Sequence, residues 1–302
     1  MALVVEHLSK KFGDHVAVED LSFRIPEPGI FAFLGTNGAG KSTSIRMILN
    51  MLSRDSGTVM WDGEPLDVMK EKIGYLAEER GLYPKYNILE QMYYFASIKG
   101  MKKKEATSAI DYLFAKLKID EYRKKRADQL SKGNQQKVQL AAALLNNPEI
   151  IILDEPLSGL DPVNADVFKS IIREERDAGK YIIMSSHQME TIEEFCEDLV
   201  LLHRGKVVLQ GNLNDIKRER GRENLTIKAD KPFADIAAKC GLTLVEETPN
   251  GSSFKVKSEA DARAMLNEMI SQNIGVIKFD LREPSLHELF VEKCGGEVNN
   301  EN

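Results

Sequence analysis

The sequence predicts the α/β fold class: a mostly parallel, covered sheet with a helical insertion, followed by a small C-terminal α+β domain. Apolar runs of strand length alternate with helical segments, as in a sheet whose parallel strands are joined by helices. Residues 86–147 change to a helical pattern, with apolar side chains at helical spacing. After a charged stretch, the elements follow in the order β-α-β-β-α-β, which is the ferredoxin-like arrangement.

The domain boundaries follow from these changes of pattern. A length of 302 residues is typical of about two domains. We expect a first domain over residues 1–215, with the helical insertion at about 86–147, and a charged linker over 216–224. An accessory domain is predicted over 225–294. Residues 295–302 are expected to form a disordered tail, because chain ends are commonly poorly ordered.

The first domain begins with β-rich sequence and returns to buried strands after the helical insertion. Its strands are predicted at residues 3–8, 21–25, 30–34, 57–61, 72–76, 150–153 and 181–184. Its helical segments are predicted at residues 44–49, 90–96, 109–114, 135–145 and 163–177. In the second domain, strands are predicted at 225–228, 242–246, 254–257 and 276–281, and helices at 232–240, 259–271 and 285–294.

A glycine loop between the strand at 30–34 and the following helix is the most informative motif. It fits G-x-x-x-x-G-K-[ST], which cradles phosphate with backbone N–H groups and the positive end of a helix. Lys41 is expected to reach the β- and γ-phosphates of a nucleotide, and the Ser42 hydroxyl to ligate magnesium. The predicted nucleotide-binding residues are Gly35, Thr36, Asn37, Gly38, Ala39, Gly40, Lys41, Ser42 and Thr43.

Composition excludes several classes of protein. The formal net charge of −6 gives no electrostatic argument for nucleic acid as a partner. No apolar run approaches the roughly 20 residues needed to cross a bilayer, and the first residues lack the pattern of a signal peptide. The three cysteines are widely spaced, as in reduced cytosolic proteins. We therefore expect a cytoplasmic protein that reaches a membrane only by docking on another chain.

Three polar residues follow predicted strands where a nucleotide's phosphates are expected. Asp154 and Glu155 end the apolar run 150–153, and carboxylates at such strand ends lie beside the phosphate loop. Asp154 is expected to hold magnesium, and Glu155 to polarise the attacking water. His187 follows the strand at 181–184 and is a candidate γ-phosphate sensor, although a lone histidine there is more often structural.

Further segments resemble the ATP-binding subunits of ABC transporters, over residues 1 to about 215. Residues 130–137 resemble the family's signature sequence and lie, as in that family, just before the Asp154 strand. The resemblance identifies His187 with the switch histidine and Phe12 with the aromatic residue that stacks on adenine. The signature positions are Ser131, Lys132, Gly133, Asn134 and Gln135, and those of the D-loop are Ser158, Gly159, Leu160 and Asp161.

The residues of the signature themselves indicate an anion site at a helix N-terminus. Ser131 and Gly133 precede a predicted helix, so a hydroxyl and backbone N–H groups point out from a helix N-terminus, which is an anion site. The resemblance implies that this site binds the γ-phosphate held by a second subunit, itself or a paralogue, in a two-fold nucleotide sandwich. Without the resemblance, Ser131 is a helix N-cap, and both interpretations can hold together.

The chain departs from the family pattern at three positions. Lys132 and Asn134 stand where glycine and glutamine are usual in the signature, while Ser131 and the Gly133 backbone are kept. Glu78 follows the strand at 72–76, where the family normally places a glutamine. Its carboxylate could meet magnesium through water or change ATP affinity, and the alternative is a solvated loop residue.

The sequence predicts the ATP-binding and ATP-hydrolysing subunit of an ABC transporter, with ATP and Mg²⁺ as cofactors and separate transmembrane permease subunits as partners. Residues 279–290 resemble the C-terminal extension of bacterial export ATPases, including the sodium-extrusion type, so export is favoured. The resulting location is peripheral, on the inner face of the cell membrane. The alternatives are a soluble ABC-type ATPase that remodels ribosomes or DNA, and a regulatory ATP-binding module with weak turnover.

Overall fold

The computed structural model describes residues 2–79 and 81–294, and the predicted disordered tail at 295–302 lies outside them. The chain divides into two compact units, Met1–Gln210 and Gly211–Asn302. The strands that begin in the first unit are β1 (Leu3–Phe12), β2 (His15–Ile25), β3 (Gly29–Leu34), β4 (Ser56–Trp61), β5 (Glu64–Pro65), β6 (Ile73–Leu76), β7 (Ile150–Leu153), β8 (Tyr181–Ser186), β9 (Asp198–His203) and β10 (Lys206–Asn212). Its helices are α1 (Lys41–Ile48), α2 (Ile88–Ile98), α3 (Lys103–Leu117), α4 (Lys132–Leu144), α5 (Pro162–Asp177) and α6 (Met189–Glu193).

Six strands form the central sheet of the first unit, in the order β10-β9-β3-β8-β7-β6. The four pairings from β9 to β6 are all parallel. Every residue of β3, β7 and β8 is buried, which explains why these strands read as continuous apolar runs in the sequence. Because the strands are parallel, their carboxyl ends meet at one edge, where ligands bind in open α/β sheets.

The N-terminal strands form a separate four-stranded sheet, in the order β2-β1-β4-β5. All three of its pairings are antiparallel. A two-residue hairpin at Gly13 and Asp14 joins β1 to β2, as antiparallel strands allow. The parallel sheet expected from the sequence is therefore one of the two sheets of the first unit. A shared core joins them: Trp61 of β4 packs edge-on against Tyr181 of β8, with ring centroids 4.9 Å apart.

The predicted insertion is helical, comprising α2, α3 and α4 with two short 3₁₀ turns between the last two. Helix α4 begins at Lys132, three residues before the start expected from the sequence. The reason is local: the Ser131 hydroxyl accepts a hydrogen bond from the Asn134 backbone N–H at 3.3 Å, so the helix is capped one residue before Lys132. Among residues 2–79 and 81–294, no helix has the length and apolar character needed to span a membrane.

The second unit contains a four-stranded antiparallel sheet with the strand order of a ferredoxin-like fold. Its elements are α7 (Leu213–Arg220), β11 (Asn224–Ala229), α8 (Ala234–Lys239), β12 (Thr243–Thr248), β13 (Gly251–Lys255), α9 (Glu259–Ser271), β14 (Val276–Arg282) and α10 (Leu286–Cys294). The charged segment 216–224 holds the end of α7 and the start of β11. The compact units separate after Gln210, so α7 belongs with the second unit, whereas the sequence placed the boundary after residue 215.

Candidate functional site

The phosphate loop connects β3 to α1 at the carboxyl edge of the central sheet. Gly35, Gly38 and Gly40 all have positive φ angles, which favour glycine. A Cβ atom on Gly40 would lie 2.5 Å from the Ala17 carbonyl oxygen, so only glycine allows the loop to pack this closely. The loop backbone therefore curls at the N-terminus of α1, as an anion site requires.

Lys41 is buried within this loop. Its Nζ donates hydrogen bonds to the carbonyl oxygens of Gly35 at 2.7 Å and Thr36 at 3.2 Å. The same ammonium lies 3.2 Å from Glu155 Oε1, and both side chains are about 95% buried. A buried ammonium paired in this way is held at the bottom of the loop, beside the space where phosphate oxygens would lie.

Asp154 follows β7 directly and is almost fully buried. Its Oδ1 accepts hydrogen bonds from the Ser42 hydroxyl at 3.2 Å and from the Ser185 hydroxyl at 2.5 Å. The strand-end carboxylate and the loop serine are thus in contact across 112 residues of sequence. The buried charge of Asp154 also contributes to a raised pKa of the Tyr75 hydroxyl, of which burial is the larger cause.

Glu155 lies between the lysine of the loop and His187. Its Oε2 is 2.9 Å from His187 Nδ1, and its backbone N–H donates to the Ser185 hydroxyl at 2.8 Å. Glu155 has a φ of 50°, in the left-handed region that a non-glycine residue seldom adopts. Such backbone strain is typical of functional positions and must be maintained by the surrounding structure.

A cavity of about 420 Å³ opens over the phosphate loop. Its wall combines the loop with residues of the antiparallel sheet and with Glu78 and Glu155. The lining residues are Phe12, His15, Ala17, Asn37, Gly38, Ala39, Gly40, Lys41, Ser42, Thr43, Glu78 and Glu155. A loop that cradles phosphate, with an aromatic ring at the rim, is the shape that a nucleoside triphosphate requires.

Phe12 is half exposed at the end of β1, where its ring can receive a planar base. The Lys10 ammonium lies 5.5 Å from the ring centroid and 2.8 Å from Asp55 Oδ1. The other Asp55 oxygen accepts a hydrogen bond from the Lys11 backbone N–H at 2.7 Å. Asp55 therefore fixes the backbone and the cation immediately before Phe12.

The signature residues do not line this cavity. Ser131 and Lys132 are exposed at the N-terminus of α4, whereas Gly133 is buried. A Cβ atom added to Gly133 would lie 2.9 Å from Asn164 Nδ2, so the Asn164 side chain would have to move. Asn134 donates to the Tyr122 hydroxyl at 3.0 Å. The buried Gln135 side chain donates to the carbonyls of the preceding turn.

The predicted D-loop lies between the strand-end carboxylates and the signature helix. The Ser158 backbone N–H donates to the Glu155 carbonyl at 3.2 Å. Asp161 is the N-cap of α5, and hydrogen bonds from the backbone and side chain of Asn164 hold the pKa of Asp161 below its ordinary value. Leu160 is half buried, and Ser158 and Gly159 are exposed.

An aromatic surface lies on the loop after β6 and on helix α2. Tyr83, Tyr86 and Tyr94 are each about half exposed and border a cavity of about 550 Å³. The Tyr83 ring contacts both other rings at centroid distances of 6.0 Å. The buried Gln91 side chain fixes this loop, because it accepts from the Tyr83 N–H and donates to the carbonyls of Tyr83 and Tyr86.

The oxygen atoms around the phosphate loop fit magnesium in part. Asp154 Oδ2 is buried without a hydrogen-bond partner in the described residues, and the other oxygen of this carboxylate accepts a hydrogen bond from the Ser42 hydroxyl. Glu155 Oε1 is also buried, and its neighbour is the Lys41 ammonium at 3.2 Å. No group of three or more His, Cys, Asp or Glu side chains in residues 2–79 and 81–294 could hold a metal ion by itself. Ser42 and Asp154 therefore suit Mg²⁺ only together with phosphate oxygens and water, as is usual for this ion.

The glycine loop, the buried lysine and the two carboxylates define the class of P-loop nucleotide-binding proteins. The family described as "ABC transporter" matches residues 18–158, and the family described as "ATP-binding protein DrrA1-3-like, C-terminal domain" matches residues 211–294. The chain belongs to the ATP-binding proteins of ABC transporters and is an ATPase.

Individual relatives extend over nearly the whole chain. An ABC transporter ATP-binding protein of Bacillus subtilis, YhaQ, whose name calls it uncharacterized, is 44% identical over 97% of this chain and 98% of its own length. The Nod factor export ATP-binding protein I of Rhizobium etli is 32% identical over 98% of this chain and 94% of its own. A solved ATP-binding subunit of an ABC transporter superposes with a TM-score of 0.67 and 29% identity, covering 73% of this chain and 94% of its own.

Sequence reasoning missed several residues that the structure places at or beside the site. Ser185 contacts both carboxylate residues, and its position at the end of a buried strand was the only signal in the sequence. His15 lines the cavity because β1 and β2 pair Phe12 with it. Asp55 is 43 residues from Phe12 in the chain, so no local pattern could connect the two.

Proposed function

We propose that this chain is the ATP-hydrolysing subunit of an exporter, working with separate transmembrane permease subunits on the inner face of the cell membrane. Each ATP would lie between the phosphate loop of one subunit and the signature of a second copy or a paralogue. One observation carries the proposal: the exposed N-terminus of α4, with Ser131 as its cap, lies outside the chain's own phosphate cavity. An anion site of this kind is available to a nucleotide held by another subunit.

The side chains around the cavity have complementary roles in this proposal. Lys41 would exchange its carbonyl partners for β- and γ-phosphate oxygens, since an ammonium binds phosphate better than a neutral carbonyl. Glu155 would accept a proton from the attacking water, and His187, 2.9 Å away, would orient that carboxylate and contact the γ-phosphate. Phe12 would stack on the base.

Magnesium would be held by Ser42 and Asp154, with Glu78 as a candidate contact through water, and would neutralise charge on the β- and γ-phosphates. The support is the buried Asp154 Oδ2, which accepts no hydrogen bond within the described chain while Oδ1 accepts two. Glu78 is exposed and lines the cavity at its rim.

Export is the direction favoured by the relatives. The R. etli relative is named for Nod factor export and spans both units of this chain. The second unit matches a family of its own, at residues 211–294. We propose that this unit supports dimerisation or regulation, because it shares none of the residues that line the phosphate cavity. Deletion of residues 225–302 with unchanged dimer affinity, hydrolysis and transport would reject that role.

The permease subunits would dock on the surface formed by Tyr83, Tyr86 and Tyr94. Half-exposed tyrosines around a cavity are typical of interaction sites, where aromatic side chains contribute most of the binding energy. Replacing Tyr94 with alanine should abolish co-purification with the permease while leaving basal hydrolysis unchanged. Retained co-purification would place the docking site elsewhere.

The experiment that tests the proposal measures hydrolysis and assembly of Glu155→Gln. Loss of a general base should reduce the hydrolysis rate by about 10²- to 10⁴-fold while ATP still binds. Because the nucleotide persists, the variant should form a stable dimer in Mg-ATP and return to monomer after exchange into buffer with ADP. Analytical ultracentrifugation at increasing protein concentration measures this transition.

Glu79→Gln is the matched control, since Glu79 is largely exposed and outside the cavity. It should hydrolyse ATP at the wild-type rate and show no trapped dimer. A Glu155→Gln protein with the wild-type rate would show that Glu155 is not the catalytic base. A variant that binds ATP and stays monomeric, with or without the permease, would reject the nucleotide sandwich.

A further inference from the structure

Ser185 lies where β7 and β8 end side by side, and its side chain is fully buried. Leu153 pairs with Met184 in the parallel register, so the next residue of each strand, Asp154 and Ser185, face each other. The hydroxyl of Ser185 is thus placed between the two acidic residues of the site by the strand register itself. It lies 31 residues from Asp154 and 30 from Glu155 in the chain.

The two hydrogen bonds of Ser185 have a fixed direction. A serine hydroxyl has one proton to donate and lone pairs to accept with. The backbone N–H of Glu155 can only donate, so it uses a lone pair of Ser185 Oγ at 2.8 Å. The hydroxyl proton is therefore donated to Asp154 Oδ1, at 2.5 Å.

The first consequence concerns the orientation of Asp154. Ser185 and Ser42 both donate to Oδ1, which leaves the second oxygen, Oδ2, buried and without a hydrogen bond in the described residues. Two hydroxyls that donate to one oxygen restrain the rotation of the carboxylate and keep its other oxygen available to a cation.

The second consequence concerns Glu155. Its backbone has a φ of 50°, a conformation that is costly for a residue with a side chain and persists only where other contacts maintain it. The hydrogen bond from its N–H to Ser185 restrains the peptide between Asp154 and Glu155. That peptide sets the direction from which the Glu155 carboxylate meets Lys41 and His187.

We infer that Ser185 is a positioning residue for ATP hydrolysis, which orients Asp154 toward magnesium and Glu155 toward the attacking water. Ser185 is not itself among the residues that line the nucleotide cavity, and it acts through Asp154 and Glu155. This inference rests on the roles proposed above for Asp154 and Glu155. Residues that orient metal ligands typically change metal affinity or activity by about 10- to 100-fold when they are removed.

The test compares Ser185→Ala with Ser185→Thr, which keeps the hydroxyl. In Ser185→Ala we expect kcat to fall by about 10- to 100-fold and the Mg²⁺ concentration for half-maximal binding of a fluorescent ATP analogue to rise about tenfold. The dissociation constant of the same analogue in EDTA should change less than about twofold, because Ser185 forms no direct hydrogen bond with Lys41 or the loop. Ser185→Thr should recover most of both losses.

Ser44→Ala is a matched control, since Ser44 is also fully buried and donates only to the Gly40 carbonyl at 2.9 Å. It should leave the Mg²⁺ requirement unchanged. If Ser185→Ala does not fold, Ser185→Cys replaces it, because the thiol is similar in size and a weaker donor, and the same rise in Mg²⁺ requirement is expected.

Three results would overturn the inference: wild-type values of kcat and Mg²⁺ requirement in Ser185→Ala, or a threonine variant as impaired as the alanine variant, or a Mg²⁺ requirement raised equally by Ser44→Ala. These outcomes are separable from failure of the proposed function. If Glu155→Gln hydrolyses ATP normally, the assigned catalytic base is wrong. If Glu155→Gln is inactive while Ser185→Ala is normal, only the role of Ser185 is lost.

Discussion

The phosphate loop and the signature helix are two candidate anion sites, and each is formed by a helix N-terminus. They differ in burial and in hydrogen bonding. At the loop, Lys41, Asp154 and Glu155 are all buried. Lys41 forms an ion pair with Glu155, and Asp154 accepts a hydrogen bond from Ser42 of the loop. At the signature, Ser131 and Lys132 are exposed, and the hydrogen bonds there are local caps. Under the function proposed above, the phosphate loop is complete within one chain, whereas the signature would bind a nucleotide held by another chain.

The largest expected effect on ATP hydrolysis comes from blocking the exposed signature while leaving the buried phosphate loop intact. Ser131→Arg should reduce ATP hydrolysis by at least about 10²-fold, the typical cost of removing a preorganised donor from a charged transition state. Binding of ATP to the isolated chain should be unchanged, because no signature residue lines the cavity. Hydrolysis and fluorescent-nucleotide titrations measure the two quantities.

Ser258→Arg is the control for this substitution, since Ser258 caps helix α9 of the second unit in the same way. It should leave hydrolysis at the wild-type level. If Ser131→Arg weakens nucleotide binding as strongly as it weakens hydrolysis, the two anion sites are not separate and the comparison fails.

A smaller effect is expected at the rim of the buried site. Asp55→Asn removes the charge that holds Lys10 and the backbone before Phe12. Because the Asp55 carboxylate is about half exposed and its charge is screened by solvent, the KM for ATP should rise only about two- to fivefold, with kcat unchanged. Asp67→Asn, at an exposed aspartate paired with Lys70, is the control. A changed kcat with constant KM would mean that Asp55 does not act through base binding.

The smallest effect is expected on stability, at Asp161, the N-cap of α5. The pKa of Asp161 is held below its ordinary value by its hydrogen bonds to Asn164, so the capping carboxylate stabilises the fold above its unfolded pKa and loses this effect as pH falls through the folded pKa. Asp161→Ala should lower the melting temperature at pH 7 by about 2–4 °C, and the difference should shrink in acid.

The single tryptophan, Trp61, lies in the same unit as Asp161 and reports its unfolding by fluorescence. Asp161→Asn is the matched control, because asparagine also caps helices and should keep most of the stability at every pH. A difference between Asp161→Ala and wild type that stays constant down to the most acidic condition would show that the charge of Asp161 is not responsible.

The sequence predicted the residues whose spacing is local. The loop at residues 35–43 carries its own pattern, and the parallel strands bring Asp154 and His187 to the same edge, so their proximity followed from the alternation of strands and helices. The roles assigned to these residues stay predictions. The ferredoxin-like order of the second unit was likewise readable, because each strand and helix there has its own hydrophobic period.

The features that the sequence did not predict depend on strand register, on a single capping residue or on contacts between residues distant in the chain. The bonds of Ser185 require knowing that Leu153 pairs with Met184. The start of α4 depended on one cap, and the period of apolar residues alone placed it three residues late. The two compact units separate after Gln210, which places α7 in the second unit, although the charged sequence of α7 is equally consistent with a linker.

The measurement that tests the central claim most directly is complementation between two inactive variants. Lys41→Ala lacks a working phosphate loop and Ser131→Arg lacks a working signature, so each alone should be inactive. If ATP is completed by a second copy, one of the two sites in every mixed dimer contains an intact loop and an intact signature. An equimolar mixture should then regain about a quarter of the wild-type rate. A mixture as inactive as its components would contradict the account, because the signature of one chain would then not complete the ATP site of another.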